Sequence, residues 1–516
     1  MSMSENDEQA QLPVLIIGAE PSSHPGICGL ALAHGLHNNN IPYKVLEKDP
    51  SLSSPPRGAK VARDWAIACH WAVPTLASLL GPRKWSRNHE ADIDPTAAAA
   101  AATAGDRRSD PIKVINGRTG AVENEIPSSA DFRRFVRSRL RALIAGEEDD
   151  AGVRGEGGEE EEEEEEDVRL RVRYGKKLVR VSYGEGGAGP AATVTAHFAD
   201  GTAETGRLLV GADGSQSVVR QLVVVPGAGA GAELKRLPFG ATFVNATFAR
   251  ERALWLRSFH PVINVVLHPG DMVGMLGVLD ASDPGRPESW RFSFYISWRL
   301  SPEELEREDA ERSLERGGGG GDDDGENEDG DEDEDEEWAI RRRRERRAEW
   351  LRAAKEKSRL FAEPLRSCYD WLDDDHEEVY YSRVANWDPS LPEHRWDNHG
   401  GLVTLAGDAA HPMTYHRGQG LNHALADAGK LVELLAKAEH DHCSSQEDLV
   451  RAYEAEMRAR AGEEVRQSET NTAMLHDWSR VQQSPLLRRG MQFGSGGGGG
   501  GSEGGEGGKE REKRDP

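Results

Sequence analysis

Cysteine is scarce in this chain. The four cysteines among 516 residues, Cys28, Cys69, Cys368 and Cys443, have neither paired nor metal-like spacing. That excludes a disulfide scaffold and a Cys/His metal centre, and isolated thiols fit a reducing compartment. No apolar run reaches membrane-spanning length. The opening MSMSENDEQAQ is polar and acidic, unlike a secretory or transit segment, so the expected setting is soluble and cytoplasmic with no membrane span. No nucleophile triad is evident, and no catalytic side chain is assigned. Excess positive charge is also missing. The formal net charge is −26, and residues 147–167 and 322–337 contribute −13 each. The rest is near neutral, which argues against nucleic-acid binding. A poly-Glu tract cannot bury enough apolar surface to offset ordering entropy. Residues 145–167, 315–340 and 494–516 therefore read as disordered or low-complexity insertions.

What is present centres on residues 401–435, GLVTLAGDAAHPMTYHRGQGLNHALADAGKLVELL. A short apolar strand, 402–406, runs into Gly407-Asp408. A loop carrying Pro412, Gly418 and Gly420 follows, then a helix whose apolar residues recur at helical spacing from Leu421 to Leu435. The pattern delivers a carboxylate on a strand and aims a helix N-terminus at something anionic. G-D-A-A-H-P followed by G-x-G-L-N-x-A-x-x-D-A resembles the second FAD-binding motif of the flavoprotein aromatic hydroxylases, the p-hydroxybenzoate hydroxylase type. The resemblance implies that Asp408 binds the ribityl chain and that Pro412 lies beside the flavin. It also implies that the backbone at Gly420, Leu421 and Asn422 faces the pyrimidine end of the ring. His411 reads as structural within that turn rather than as a general base.

Two further stretches agree with this family in the expected order. The apolar run 12–17 ends at Gly18-Ala19, Gly26 to Gly29 opens a helix, and Tyr43 to Leu46 forms a second strand ending in Glu47. This β-α-β unit resembles the dinucleotide fingerprint, in which the acid grips the ribose hydroxyls. Six extra residues, Glu20 to Pro25, interrupt the glycine pattern; without them the chain reads G-A-G-I-C-G-L. The insert bulges outward and binding survives, or it lowers FAD affinity, or it is an error in the reading frame. The third stretch, G-A-D-G-x-x-S-x-V-R from Gly211 to Arg220, resembles the family motif that serves FAD and transient NAD(P)H binding. It makes Asp213 and Gly214 cofactor candidates, with Arg220 supporting the turn.

Between these motifs the signals are local. Residues 65–80 and 131–140 each read as a helix, the second basic and amphipathic. The family places an arginine of the second on FAD, with Arg133 the best match and Arg134 next; Arg63 is the nearest match to another cofactor arginine. His70 and Trp71 read as packing residues. Strands are expected over 168–172, 179–183 and 193–198. Alternation over 241–248, 262–267, 272–279 and 291–298 predicts an antiparallel sheet with one buried face. Helical spacing returns at 301–359, and Arg341–Arg347 reads as a solvated helix face ahead of a nuclear address. Residues 379–383 form a strand, and 449–465 a long helix.

The expected architecture is α/β: a Rossmann-like FAD-binding domain, 12–230 and 360–480, with an inserted antiparallel-sheet substrate domain, 235–345. The resemblance implies a single-component monooxygenase. It would use FAD, NAD(P)H and O₂ to hydroxylate or epoxidise a small organic, aromatic or polyketide-like substrate. The alternatives are a reductase or halogenase on the same fold, or a non-catalytic protein that binds partners through its acidic tracts.

Overall fold

Short runs of β-branched and aliphatic residues make the first sheet. Val14–Ile17, Leu208–Gly211 and Val403–Leu405 are buried along their whole length, as strands covered on both faces must be. The structure, a computed structural model, describes residues 12–18, 26–49, 64–98, 111–126, 132–146, 170–184, 192–224, 231–260, 262–317, 332–441 and 445–490. The five strands lie in the order 403–405, 208–211, 14–17, 43–46, 172–173, and every pair is parallel. In register, Ile17 stands beside Gly211 and Leu46, and Gly211 beside Leu405. The chain therefore leaves four neighbouring strands along one edge, at Gly18, Glu47, Ala212 and Ala406.

The helix Ile27–Asn38 follows the central strand and packs against the helices Val73–Ser86 and Gly420–Asp441. A Cβ at Gly35 would stand 2.5 Å from Leu79 and 2.7 Å from Val432, so the three helices meet there only because position 35 has no side chain. A meander of 178–183, 194–198 and 203–206 adds Val194, Ala196 and Phe198 to the same core.

The second large sheet has seven strands in the order 379–386, 235–247, 291–299, 272–280, 263–268, 112–116, 122–126. All its pairs are antiparallel except 263–268 with 112–116. The expectation of one buried face is corrected: both faces are covered. Phe292, Phe294 and Ile296 face Leu351, Ala354, Leu365 and Tyr369 from the helices 332–358 and 365–370. Tyr295 and Val273, on the opposite face, meet Leu475, Val481 and Leu486.

Two helix expectations are also corrected. Ala66–Cys69 and Arg133–Val136 form an antiparallel ribbon, and helices begin only afterwards, at Val73 and Arg137. Ile67, Cys69 and Phe135 point into the core, so tertiary pairing overrides a pattern that also fits a helix. Of the expected strand 168–172, residues 170–172 are described, and only Val172 is extended into a strand, the two-residue Val172–Arg173.

Phe294 is fully buried, with Tyr369 edge-on at 5.0 Å between centroids. Phe294→Ala should destabilise the protein by about 3–5 kcal/mol, the usual cost of such a cavity. Denaturant unfolding checks this, and a loss under about 1 kcal/mol would contradict the packing described.

Candidate active site

The edge where the parallel strands end is a crevice built on close backbone contact. Gly18 has φ +99°, and a Cβ there would lie 2.5 Å from the Asp213 Cα. A Cβ at Gly29 would lie 2.3 Å from the Gly18 carbonyl oxygen. A Cβ at Gly407, where φ is +60°, would press at 3.2 Å on Cys28. The fingerprint glycines thus stand together, with Gly26 at the N-cap of the helix. Glu20–Pro25 and Arg63 lie outside the described residues, but the flanks of the insertion are already in contact.

The loop after Val403–Leu405 turns at Gly407–Ala409 and again at Tyr415–Arg417, where Gly418 is left-handed at φ +62°. The helix then starts at Gly420, and its first-turn N–H groups have no partner within the helix. The Asp408 carboxylate sits close by, with Oδ1 3.9 Å from where a Gly420 Cβ would be. The Pro412 carbonyl accepts the Trp387 N–H at 3.0 Å. The Asn422 side chain is buried and fully engaged. It accepts the His70 and Ala72 N–H groups at 2.9 and 3.3 Å and donates to Ala68 and Gly418 carbonyls. It therefore staples the ribbon to the loop at the start of the helix. Leu421 packs into the core.

Other candidates are more constrained than the sequence suggests. Asp213 takes Ser217 Oγ at 2.5 Å and the Val218 and Val219 N–H groups at 2.7 and 3.1 Å, so its carboxylate holds the start of Val218–Val223. Gly214 beside it has φ +77° and open space around it. Arg220 donates to the Ser215, Ala232 and Ala409 carbonyls at 2.5, 3.0 and 2.9 Å, tying this turn to the Gly407–Ala409 turn. Glu47 is buried at the end of its strand and accepts the Asp49 N–H at 3.0 Å. Arg133 and Arg134 point to opposite sides of their strand. Arg134 donates to the Val262 carbonyl at the large sheet, whereas Arg133 pairs across the ribbon with Cys69, one residue before His70.

Opposite the loop, the inner face of the seven-stranded sheet presents aromatic side chains. Phe243, Tyr295 and Tyr415 form a triangle with centroids 4.9, 5.2 and 5.4 Å apart. Phe243, Ile263 and Met275 are only half-buried on this otherwise covered face, as are Ala68 of the ribbon and Tyr415 of the loop packed against it. Behind them Ser297 touches His416 and His476, and His416 continues to Thr472 at 3.0 Å.

Sequence reasoning missed the buried group beneath the loop. Asp427 accepts the Gly407 N–H at 2.8 Å, His411 Nε2 at 2.5 Å and Arg460 Nη2 at 2.7 Å. Burial works to raise its carboxyl, but His411 and Arg460 outweigh that and hold it well below the usual carboxylate range. His411 is thus part of the turn's scaffold. The signal was present: Asp427 is the acid of the D-A pair closing the motif, and Arg460 lies in the next helix. No His/Cys/Asp/Glu group among the described residues could hold a metal, and no described helix is long and apolar enough to cross a membrane.

FAD fits these residues. The crevice admits close backbone approach at glycines, lies at the C-terminal ends of parallel strands, and offers a helix N-terminus to an anion. Such a fold and site define a FAD-binding oxidoreductase. A family model described as FAD binding domain matches residues 384–468. The chain is 30% identical to FAD-dependent monooxygenase phnB of Penicillium herquei, over 93% of this chain and 95% of that protein. It is 27% identical to FAD-dependent monooxygenase cctM of Talaromyces islandicus, over 93% and 96%. Among solved structures, Klebsiella pneumoniae HpxO complexed with FAD and uric acid aligns with a TM-score of 0.59 at 17% identity, covering 94% of this chain and 96% of that one. The 2,6-dihydroxypyridine-3-hydroxylase of Arthrobacter nicotinovorans aligns at 0.57 and 15%, covering 90% and 93%. The chain belongs to the FAD-dependent monooxygenases, as its motifs led us to expect, and the non-hydroxylating alternatives are not favoured.

Four histidines around the loop are kept neutral by burial. His70 and His476 are pushed down to about 4, and His416 and His423 fall well below the ordinary 6.5. The unfolded chain binds these protons first, so stability is complete above pH 6.5 and is lost as pH falls toward 4. Carboxyl groups raised by burial work the other way: Asp92, to about 6, and Asp213, Glu308, Glu454 and Glu464. Replacing one of the four histidines, His70→Gln, should therefore lessen the loss of stability between pH 6.5 and 5 relative to wild type; parallel unfolding-midpoint profiles for the two proteins would contradict the burial described.

Proposed function

We propose that this monooxygenase uses NAD(P)H and O₂ to hydroxylate or epoxidise a small aromatic or polyketide-like molecule. The observation that carries this reading is the aromatic cluster in which Phe243 and Tyr295 of the sheet meet Tyr415 of the Pro412–Gly420 loop, with Phe243 and Tyr415 only half-buried. Flat apolar walls with few polar groups suit a planar organic ring.

In this reading the backbone at Gly18, Gly26 and Gly29 receives the pyrophosphate, and Glu47 the adenosine ribose. Asp408 binds the ribityl chain. Gly214 leaves room beside the cofactor, and Asp213 acts by fixing that turn. Pro412 and the Gly420–Asn422 backbone flank the ring, and Arg133 is the candidate arginine. FAD, when bound, supplies the redox chemistry that activates O₂ for transfer of one oxygen atom to the substrate. The chain's part is orientation, water exclusion and electrostatics. Phe243, Met275 and Tyr295 exclude water and hold the substrate ring. The Gly420 helix N-terminus favours negative charge on the reduced cofactor.

FAD-loaded protein should consume NAD(P)H faster when a suitable phenol or polyketide-derived ring is added, with one atom from ¹⁸O₂ in the product. Asp408→Ala should stay folded and bind FAD about 10–100-fold more weakly, the range for a lost charged hydrogen bond. NAD(P)H consumption indifferent to every ring tested, with no labelled product, would contradict the proposal.

A further inference from the structure

The cofactor loop is fastened to the helices behind it by one buried carboxylate. Asp427, fully buried on the Gly420–Asp441 helix, reaches back to the Gly407 N–H and to His411 Nε2, the two ends of the turn that carries Asp408. Gly407 is left-handed there, a conformation glycine adopts freely, and the bonds at both ends hold the turn in it. The other Asp427 oxygen takes Arg460 Nη2 from the next helix, Gln446–Leu475. Arg460 in turn meets His423 Nδ1 at 3.0 Å and Glu456 at 2.7 Å. It borders a surface groove of about 750 Å³ with Glu456 and Lys430, so it is reached from outside while Asp427 is not. The same carboxylate therefore joins the strand-end turn and two helices. A buried charge of this kind keeps its geometry only while each partner is present.

We infer that Asp427 and Arg460 are positioning residues for FAD: through Gly407 and His411 they set where the Asp408 carboxylate and the Gly420 helix N-terminus stand relative to each other. This rests on the reading of the Asp408 crevice as the FAD site. Neither residue is given contact with the cofactor. Their effect is on the orientation of the groups that do contact it, so it should appear in affinity for FAD while the fold survives.

The test is FAD titration of full-length apoprotein, followed by flavin fluorescence, with far-UV circular dichroism and denaturant unfolding of each apo variant. Asp427→Asn keeps the side chain's shape and removes its charge. Arg460→Met keeps packing, and Arg460→Lys restores a cation. Asp427→Asn and Arg460→Met should each weaken FAD binding by roughly tenfold or more, the scale of one charged hydrogen bond, with apo spectra unchanged. Arg460→Lys should recover much of that loss. The shift in flavin absorption on binding should also differ between Asp427→Asn and wild type. The inference is overturned if the folded variants bind FAD within about twofold of wild type. It is equally overturned if affinity falls only in proportion to lost apo stability, with no recovery by lysine. If Asp427→Asn does not fold, the Arg460 pair decides alone. Normal FAD binding by Asp408→Ala would instead show that the reading of the crevice has failed.

Discussion

A carbonyl oxygen stands where a side chain would otherwise be. The Gly18 carbonyl lies 2.3 Å from the position of any Cβ at residue 29, and this single approach sets how the first helix sits on the parallel sheet. Beside it stand the close contacts of Gly18 with Asp213 and of Cys28 with Gly407, and the crossing of three helices at Gly35. Segments more than 350 residues apart in sequence meet at one sheet edge because those positions carry no side chain. The residues Glu20–Pro25 enlarge the sequence interval between Gly18 and Gly29 without separating them, so the insertion leaves this contact in place.

The site has two halves with different physics. The crevice is polar and backbone-lined, and its charges are set by bonds. Asp213 caps a helix, Arg220 spans two turns, and Asp427 is held ionised by His411 and Arg460 against the pull of burial. The sheet side is aromatic and nearly free of charge. The loop from Asp408 to Asn422 is the element common to both, which explains why so many buried hydrogen bonds converge on it. A loop that borders both surfaces cannot be left to its own conformational preferences.

Much of this was legible in the sequence because the three motifs are defined by glycines and carboxylates whose spacing is rigid. Gly407, Asp408 and the helix from Gly420 could be placed to within a residue or two. The ribbon 66–69 with 133–136 was not. Each strand is four residues long, and RRFV alternates no better than it fits a helix, so only the pairing partner decides. The two covered faces of the large sheet were hidden for another reason. One cover comes from the highly charged helix 332–358, in which Leu351 and Ala354 are the buried contacts that reveal its inner side. Asp427 stood inside a motif, but its partner Arg460 lies outside it, one arginine among several on the following helix.

The central claim is that these backbone contacts leave a working FAD crevice despite the insertion after Gly18. Its most direct test is the FAD content of purified full-length protein, read from the visible spectrum before and after denaturation. The account predicts a yellow protein that releases one FAD per chain. A colourless, folded protein that stays colourless when FAD is added would contradict it.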